Sequence, residues 1–173
     1  MADVDYAQYF DETGLKSPFY RVSLKAVVRD DEGRVLVTRE SHDTYELPGG
    51  GWDHRESVDS GLRREIREEL GVGVESIGDT LFVYKGRAER PHMMMRVAVE
   101  VKLDSHDFAF TQEDENENLL EARFVDRAEF LRLNWSDSER EIVQCVDKLW
   151  PNVTDAATSS PTDTVTDHDK ISL

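Results

Sequence analysis

One cysteine, Cys145, in a chain of 173 residues leaves no partner for an internal disulfide and no basis for a cysteine-rich zinc site. No apolar run approaches the about 20 residues that a membrane-spanning helix needs, which excludes such a span. Basic residues are also short: 21 Lys and Arg stand against 37 Asp and Glu, for a formal charge of −16. That balance removes the positive field on which non-specific binding to nucleic-acid phosphates depends, and it weakens attraction to anionic lipid. The opening "MADVDYAQYFDETG" lacks the basic-then-apolar order of a signal peptide, so a cytoplasmic location is expected. Neither stable nucleic-acid binding nor a membrane partner is expected.

Only 6 of the basic residues are lysines, against 15 arginines, and acids occur along the whole chain. An ordinary acidic protein would show this. Adaptation to a salty, halophilic cytoplasm would show it too, since concentrated ions screen self-repulsion within a few ångström at about 1 M. We prefer the second reading.

The remaining pattern describes one domain with extensions. "FYRVSLKAVVRD" and "RVLVTRE", joined by "DDEG", are predicted to form a hairpin. Pro48 to Gly51 break regular structure, and Ser57 to Leu70 are predicted as a helix stopped by Gly71. "SIGDTLFVYKGR", "MMMRVAVEVKL" (apolar at Val97, Val99, Val101 and Leu103) and "ARFVD" read as further strands. "SDSEREIVQCVDKLW" begins with Ser136 and Glu139 at capping-box spacing and is predicted as a terminal helix, with Cys145 on its apolar side. Beyond Trp150 the chain is rich in Thr, Ser, Asp and Pro. We therefore divide it into an N-terminal extension (1–18), a folded domain (19–150) and a disordered acidic tail (151–173). Mixed strands with a central and a terminal helix indicate an α+β fold, an α/β/α sandwich.

The central helix carries the sharpest anomaly. With Leu62 at zero on a helical wheel, Val58, Ile66 and Leu70 form an apolar stripe within about 80°. Glu69 falls inside that stripe, and Glu65 and Glu68 lie on its edge, although like charges at i, i+3 and i+4 repel. A buried carboxylate needs a partner. Two kinds are open: the arginines of the same helix (Arg63, Arg64, Arg67) or a hard divalent cation, for which three carboxylates beside a glycine loop supply oxygen ligands.

The same stretch resembles the Nudix box, G-x5-E-x7-R-E-U-x-E-E-x-G-U with U aliphatic. Gly50, Glu56, Arg64, Glu65, Ile66, Glu68, Glu69, Gly71 and Val72 fill each fixed position. The looser resemblance runs from about Tyr20 to Trp150. It implies an α/β/α sandwich with a mixed sheet, and a hydrolase that uses Mg²⁺ or Mn²⁺ to cleave the pyrophosphate bond of a nucleoside diphosphate linked to another moiety. It also implies Glu65, Glu68, Glu69 and the Gly49 carbonyl as metal ligands. Glu56 would support the metal shell or the loop, and Arg64 would orient a box glutamate, so that Glu65 and Arg64 count among the catalytic residues. For the general base, a box glutamate or an acid before the last strand are both open. Among Glu113, Glu115, Glu117 and Glu121 we prefer Glu117 for its spacing to Phe124.

Signatures that mark NADH, coenzyme A or ADP-ribose enzymes of this family are missing. The substrate is therefore expected to be a small-molecule nucleotide or nucleotide sugar of unassigned identity. Trp52, Tyr45, Phe19 and Tyr20 are candidates to stack a base, and Arg87, Arg90 and Arg96 to bind phosphate; packing or a surface position would suit each as well. The alternative function is a nucleotide-sensing module that binds without turnover. Such modules usually carry a degraded box and an attached DNA-binding domain, and this chain has neither.

Overall fold

The computed structural model describes residues 20–40, 43–86, 93–110, 119–137 and 139–151. In chain order the elements are β1 (Tyr20–Val27), β2 (Val35–Glu40), β3 (Tyr45–Glu46), α1 (Val58–Leu70), β4 (Val74–Gly86), β5 (Met93–Leu103), β6 (Leu119–Val125) and α2 (Arg127–Phe130). A 3-10 segment (Arg140–Cys145) and α3 (Val146–Leu149) follow. Among the described residues two three-stranded sheets form, in the orders β1-β5-β4 and β3-β2-β6. β1 runs parallel to β5, with Leu24 beside Val97, and β4 runs antiparallel to β5, so the first sheet is mixed.

Alternation along the first sheet sorts its side chains onto two faces. Leu24, Ala26, Val28, Val99 and Val101 pack against Leu62, Ile66 and Leu70 of α1. Val27, Ala98 and Tyr84 pack on the opposite face with Ile142, Val146, Leu149 and Trp150 from the C-terminal segment. The sheet is thus covered by helical structure on both faces, the expected α/β/α sandwich.

Helix α1 starts one residue later than predicted, at Val58, because Ser57 is extended and serves as its cap. Ser57 caps it by accepting a hydrogen bond from the Ser60 amide at 3.1 Å, while the Ser60 hydroxyl accepts from the Ser57 amide at 2.9 Å. Gly71 closes it at φ 67°, donating its N–H to the Arg67 carbonyl. That left-handed conformation suits glycine.

Two expectations are corrected. The predicted hairpin survives only at its turn, where Asp30 accepts from the amides of Glu32 and Arg34, and Leu36 donates to Val28. The bodies of β1 and β2 part into different sheets because both edges of β1 are already taken. β5 holds one edge. The Pro48–Trp52 segment holds the other, through Leu24 N–H to Gly50, Ala26 N–H to Pro48 and Trp52 N–H to Val22. The glycine break therefore makes strand-like bonds without being a strand.

The terminal helix is also different, a 3-10 segment followed by one turn of α-helix. Ser136 and Glu139 form no capping box. The Ser136 hydroxyl donates instead to Glu46 Oε1 at 2.6 Å, and the Glu139 side chain turns into the core. Cys145 is a free thiol packed at the margin of the core, and burial pushes its pKa up. Among the described residues no helix is long and apolar enough to cross a membrane.

Candidate active site

The site is built where the 48–52 loop lies along the edge of β1 and meets α1. Gly49 sits at φ 113°, and a Cβ there would collide with the Leu24 carbonyl oxygen; one at Gly50 would strike the Glu65 carboxylate. Gly49 is demanded by its approach to fixed backbone, whereas the neighbour of Gly50 is a side chain that Arg64 holds in place.

Arg64 is the hub. Its Nε and Nη2 donate to the two carboxylate oxygens of Glu56 at 2.7 and 3.0 Å, a bidentate grip. Nη1 donates to Glu65 Oε1 at 2.7 Å and to Glu68 Oε2 at 3.0 Å, and Nη2 reaches the Gly51 carbonyl at 3.0 Å. Expected among the catalytic residues, Arg64 is held in this way by acids and loop backbone. Glu56 also accepts from the Asp53 amide, and its own carbonyl accepts from the Trp52 indole, so it braces the loop. Arg63 turns to Asp59 at 3.0 Å.

Glu69 goes elsewhere. Its Oε2 accepts the Gly49 N–H at 2.7 Å. Burial pushes its carboxyl up to about 7, with Glu65 and Glu46 adding to the rise and Lys25 and the Gly49 amide opposing it. Burial likewise raises Glu65, against the pull of Arg64. The anomaly of the wheel thus has a two-part resolution: Arg64 partners Glu65 and Glu68, whereas Glu69, half-buried, turns to the glycine loop. Among the described residues no three acids, histidines or cysteines converge to hold a metal ion. The donor set is nonetheless of the right kind. Glu65, Glu68, Glu69 and the Gly49 carbonyl are hard oxygen donors of the type that Mg²⁺ or Mn²⁺ takes.

Behind the glycine loop lies a buried charge cluster that the sequence reading missed. Lys25 of β1, 3% exposed, donates to Gly49 O at 2.7 Å, Leu47 O at 3.0 Å and Glu46 Oε2 at 3.1 Å. Glu139 Oε1 lies 3.3 Å from the same ammonium and 2.8 Å from Arg96 Nη1, while Tyr84 donates its hydroxyl to Glu139 Oε2. Burial opposes the charge on Lys25, but Glu46 and Glu139 outweigh it and hold the pKa above the ordinary value. The one available signal was a lysine interrupting the apolar run "VSLKAVV". Arg96, a candidate for phosphate, is instead buried on Glu139.

Other candidates fall as follows. Glu121 lies in β6, held by Arg39 Nε at 2.8 Å and Arg123 Nε at 3.0 Å, and Arg39 leads in holding its carboxyl below the ordinary range. That is poor preparation for a base. Tyr45 packs on the core beneath the Arg123 guanidinium. Trp52 and Tyr20 are exposed, at 39% and 49%. Glu113, Glu115, Glu117, Phe19, Arg87 and Arg90 lie outside the described residues, as do the proposed N-terminal extension and all but the first residue of the tail.

Comparison with known proteins adds an independent line. A model of the NUDIX domain matches residues 19–145. A MutT-like protein of Streptomyces ambofaciens is 39% identical over 69 residues, 39% of this chain and 44% of that protein. An RNA pyrophosphohydrolase of Saccharophagus degradans is 36% identical over 66 residues, 35% of this chain and 39% of that protein. These matches span less than half the length of either relative. In structure, the MutT protein of Methanosarcina mazei Go1 superposes with a TM-score of 0.64 at 20% identity, covering 78% of this chain and 97% of that one. An ADP-ribose pyrophosphatase of Streptococcus suis does so at 0.59 and 18% identity, covering 78% and 93%. At such identities the likeness shows the fold.

Proposed function

Because this chain belongs to the Nudix family, we propose that it is a pyrophosphohydrolase, cleaving the pyrophosphate bond of a nucleoside diphosphate linked to another moiety. The observation that carries this reading is the Arg64 hub. It binds Glu56, Glu65, Glu68 and the Gly51 carbonyl together, so the loop and the acidic helix edge are locked as one unit.

In this reading Glu65, Glu68, Glu69 and the Gly49 carbonyl hold Mg²⁺ or Mn²⁺. The cation, when bound, neutralises diphosphate charge and lowers the pKa of a bound water. The protein's part is to place the donors. Arg64 and Glu56 hold the loop against α1, and the Gly49 N–H fixes the Glu69 carboxylate. Glu68 is the solvent-exposed ligand, at 57% of its side chain, and is the arm that meets incoming solute. Glu117 is proposed as the general base. A small nucleotide or nucleotide sugar is preferred over RNA as substrate, because a chain of net charge −16 repels a long polyanion.

The test is a screen of the full chain with Mg²⁺ against nucleoside triphosphates, nucleotide sugars, ADP-ribose, dinucleoside polyphosphates, NADH and 5′-triphosphorylated RNA, read by phosphate or nucleotide release. Glu68→Gln and Glu69→Gln are expected to lose about a hundredfold or more of the turnover, as when a principal transition-state stabiliser is removed. Tight nucleotide binding with no turnover would instead identify a sensing module.

A further inference from the structure

Lys25 has no ordinary reason to be where it is. Its neighbours Leu24, Ala26, Val27 and Val28 are each at most 1% exposed, and the ammonium is enclosed with Glu139 at 0%. Removing such ions from water costs several kcal/mol each, and well-packed apolar residues often serve stability as well or better. The charge therefore calls for a role beyond holding the fold.

Its bonds indicate one. Two of the three hydrogen bonds from Nζ go to backbone carbonyls, Leu47 at 3.0 Å and Gly49 at 2.7 Å, which bracket the loop's proline. The third goes to Glu46, at the start of the same loop. Glu46 is fixed in turn by Ser136, and Glu139 is fixed by Arg96 and Tyr84. Gly49 is consequently gripped from both sides, its N–H by Glu69 of α1 and its carbonyl by Lys25 of β1. At φ 113° neither grip can be replaced by a side chain at position 49.

We propose that Lys25 is a positioning residue of the metal site: it sets the direction of the Gly49 carbonyl relative to the glutamates of α1, with Glu46 and Glu139 anchoring it from the far side of the sheet. This rests on the metal-dependent reading above. Two effects of losing Lys25 oppose each other. A cation 2.7 Å from a ligand oxygen repels a metal ion, so its removal alone would tighten metal binding. Loss of the carbonyl's orientation would weaken it. If positioning dominates, the second effect wins, with the tenfold or larger loss of metal affinity typical when a residue behind a ligand is removed (roughly 10- to 100-fold).

The test is a titration of the full-length protein with Mn²⁺ alone, with free Mn²⁺ read by electron paramagnetic resonance. Lys25→Arg keeps the buried charge but cannot place one donor on both carbonyls. Lys25→Met combined with Glu139→Gln removes one charge of each sign and so avoids stranding an acid. In variants whose circular dichroism and unfolding remain native, Mn²⁺ affinity is expected to fall about tenfold or more. Unchanged or tighter Mn²⁺ binding in either native variant overturns the positioning role. Wild-type protein that fails to bind Mn²⁺, or binds it no better than Glu68→Gln, overturns the metal site itself, a different failure visible before Lys25 is touched.

Discussion

Arg64 and Glu56, eight residues apart, meet fork to fork: Nε to Oε1 at 2.7 Å and Nη2 to Oε2 at 3.0 Å. The pair closes the loop onto the helix, and a lysine ammonium cannot reproduce two parallel bonds. Arg64→Lys is expected to lower kcat roughly tenfold to a hundredfold through misplacement of Glu65 and Glu68, with the native fold retained. Steady-state kinetics beside circular dichroism checks this; wild-type turnover would remove Arg64 from the site's architecture.

Glycines 49 and 33 provide a matched contrast. Both have positive φ, 113° and 75°, but only at Gly49 would a Cβ collide with backbone, while Gly33 faces open space. Gly33→Ala is expected to cost about 1 kcal/mol, the left-handed penalty alone. Gly49→Ala is expected to cost about 2 kcal/mol or more, since strain and collision add. Urea denaturation of both variants measures the difference, and equal costs would contradict the geometry.

These glycines also show what could be read in the sequence. α1 was legible to within one residue, because its signals are local: the Leu62–Ile66–Leu70 stripe and Gly71 act within a turn or two. The spacing of Arg64, Glu65 and Glu68 likewise made a pairing within the helix one of the two open readings, and those pairs form. The β1–β2 hairpin failed because propensity does not say which edges are free, and a distant loop had claimed one edge of β1. Ser136 and Glu139 looked like a cap until Glu46, Lys25 and Arg96, all remote in sequence, offered buried partners. Where local and long-range partners competed for one side chain, the long-range ones prevailed.

Acid titration should expose the turn after β1. Asp30 accepts the amides of Glu32 and Arg34 and pairs with Arg34 Nε at 2.7 Å. Burial works against its charge, but Arg34 and the turn amides outweigh it and hold the carboxyl below its ordinary value of 3.8. A depressed carboxyl contributes stability that is complete above the unfolded pKa and disappears as pH falls through the folded one. The stability gap between wild type and Asp30→Asn should therefore be constant at neutral pH and close below pH 3.8. A gap that persists to the lowest pH at which the protein folds would show that the charge is irrelevant.

Trp150 closes the C-terminal end, its indole donating to Gly33 O at 3.0 Å and its ring centroid 5.2 Å from that of Phe130. Trp150→Ala is expected to cost about 3 to 5 kcal/mol. Deleting 152–173, where the apolar pattern has ended, should leave the unfolding midpoint almost unchanged. A large loss on truncation would show that those residues dock on the domain.

Ionic strength tests the high-salt reading. With a net charge of −16, folding works against self-repulsion. Raising KCl shortens the screening length from about 10 Å at 0.1 M to about 3 Å at 1 M, so the unfolding temperature should climb across that range. A flat response would leave an ordinary acidic protein.

The contact between Lys25 and Glu139 has a consequence for the order of events during synthesis. Lys25 emerges from the ribosome early and Glu139 late, as do the partners of other long-range bonds: Arg29 to Leu149 spans 120 residues, and Trp150 to Gly33 spans 117. β1 likewise waits for β5, its parallel neighbour. A nascent chain can therefore hold the complete box, Gly50 to Val72, with Glu46 as the only acid yet made to pair with the lysine behind it and Glu139 still to come. The full set of charges around the Gly49 carbonyl is thus assembled last, with the segment that carries Glu139.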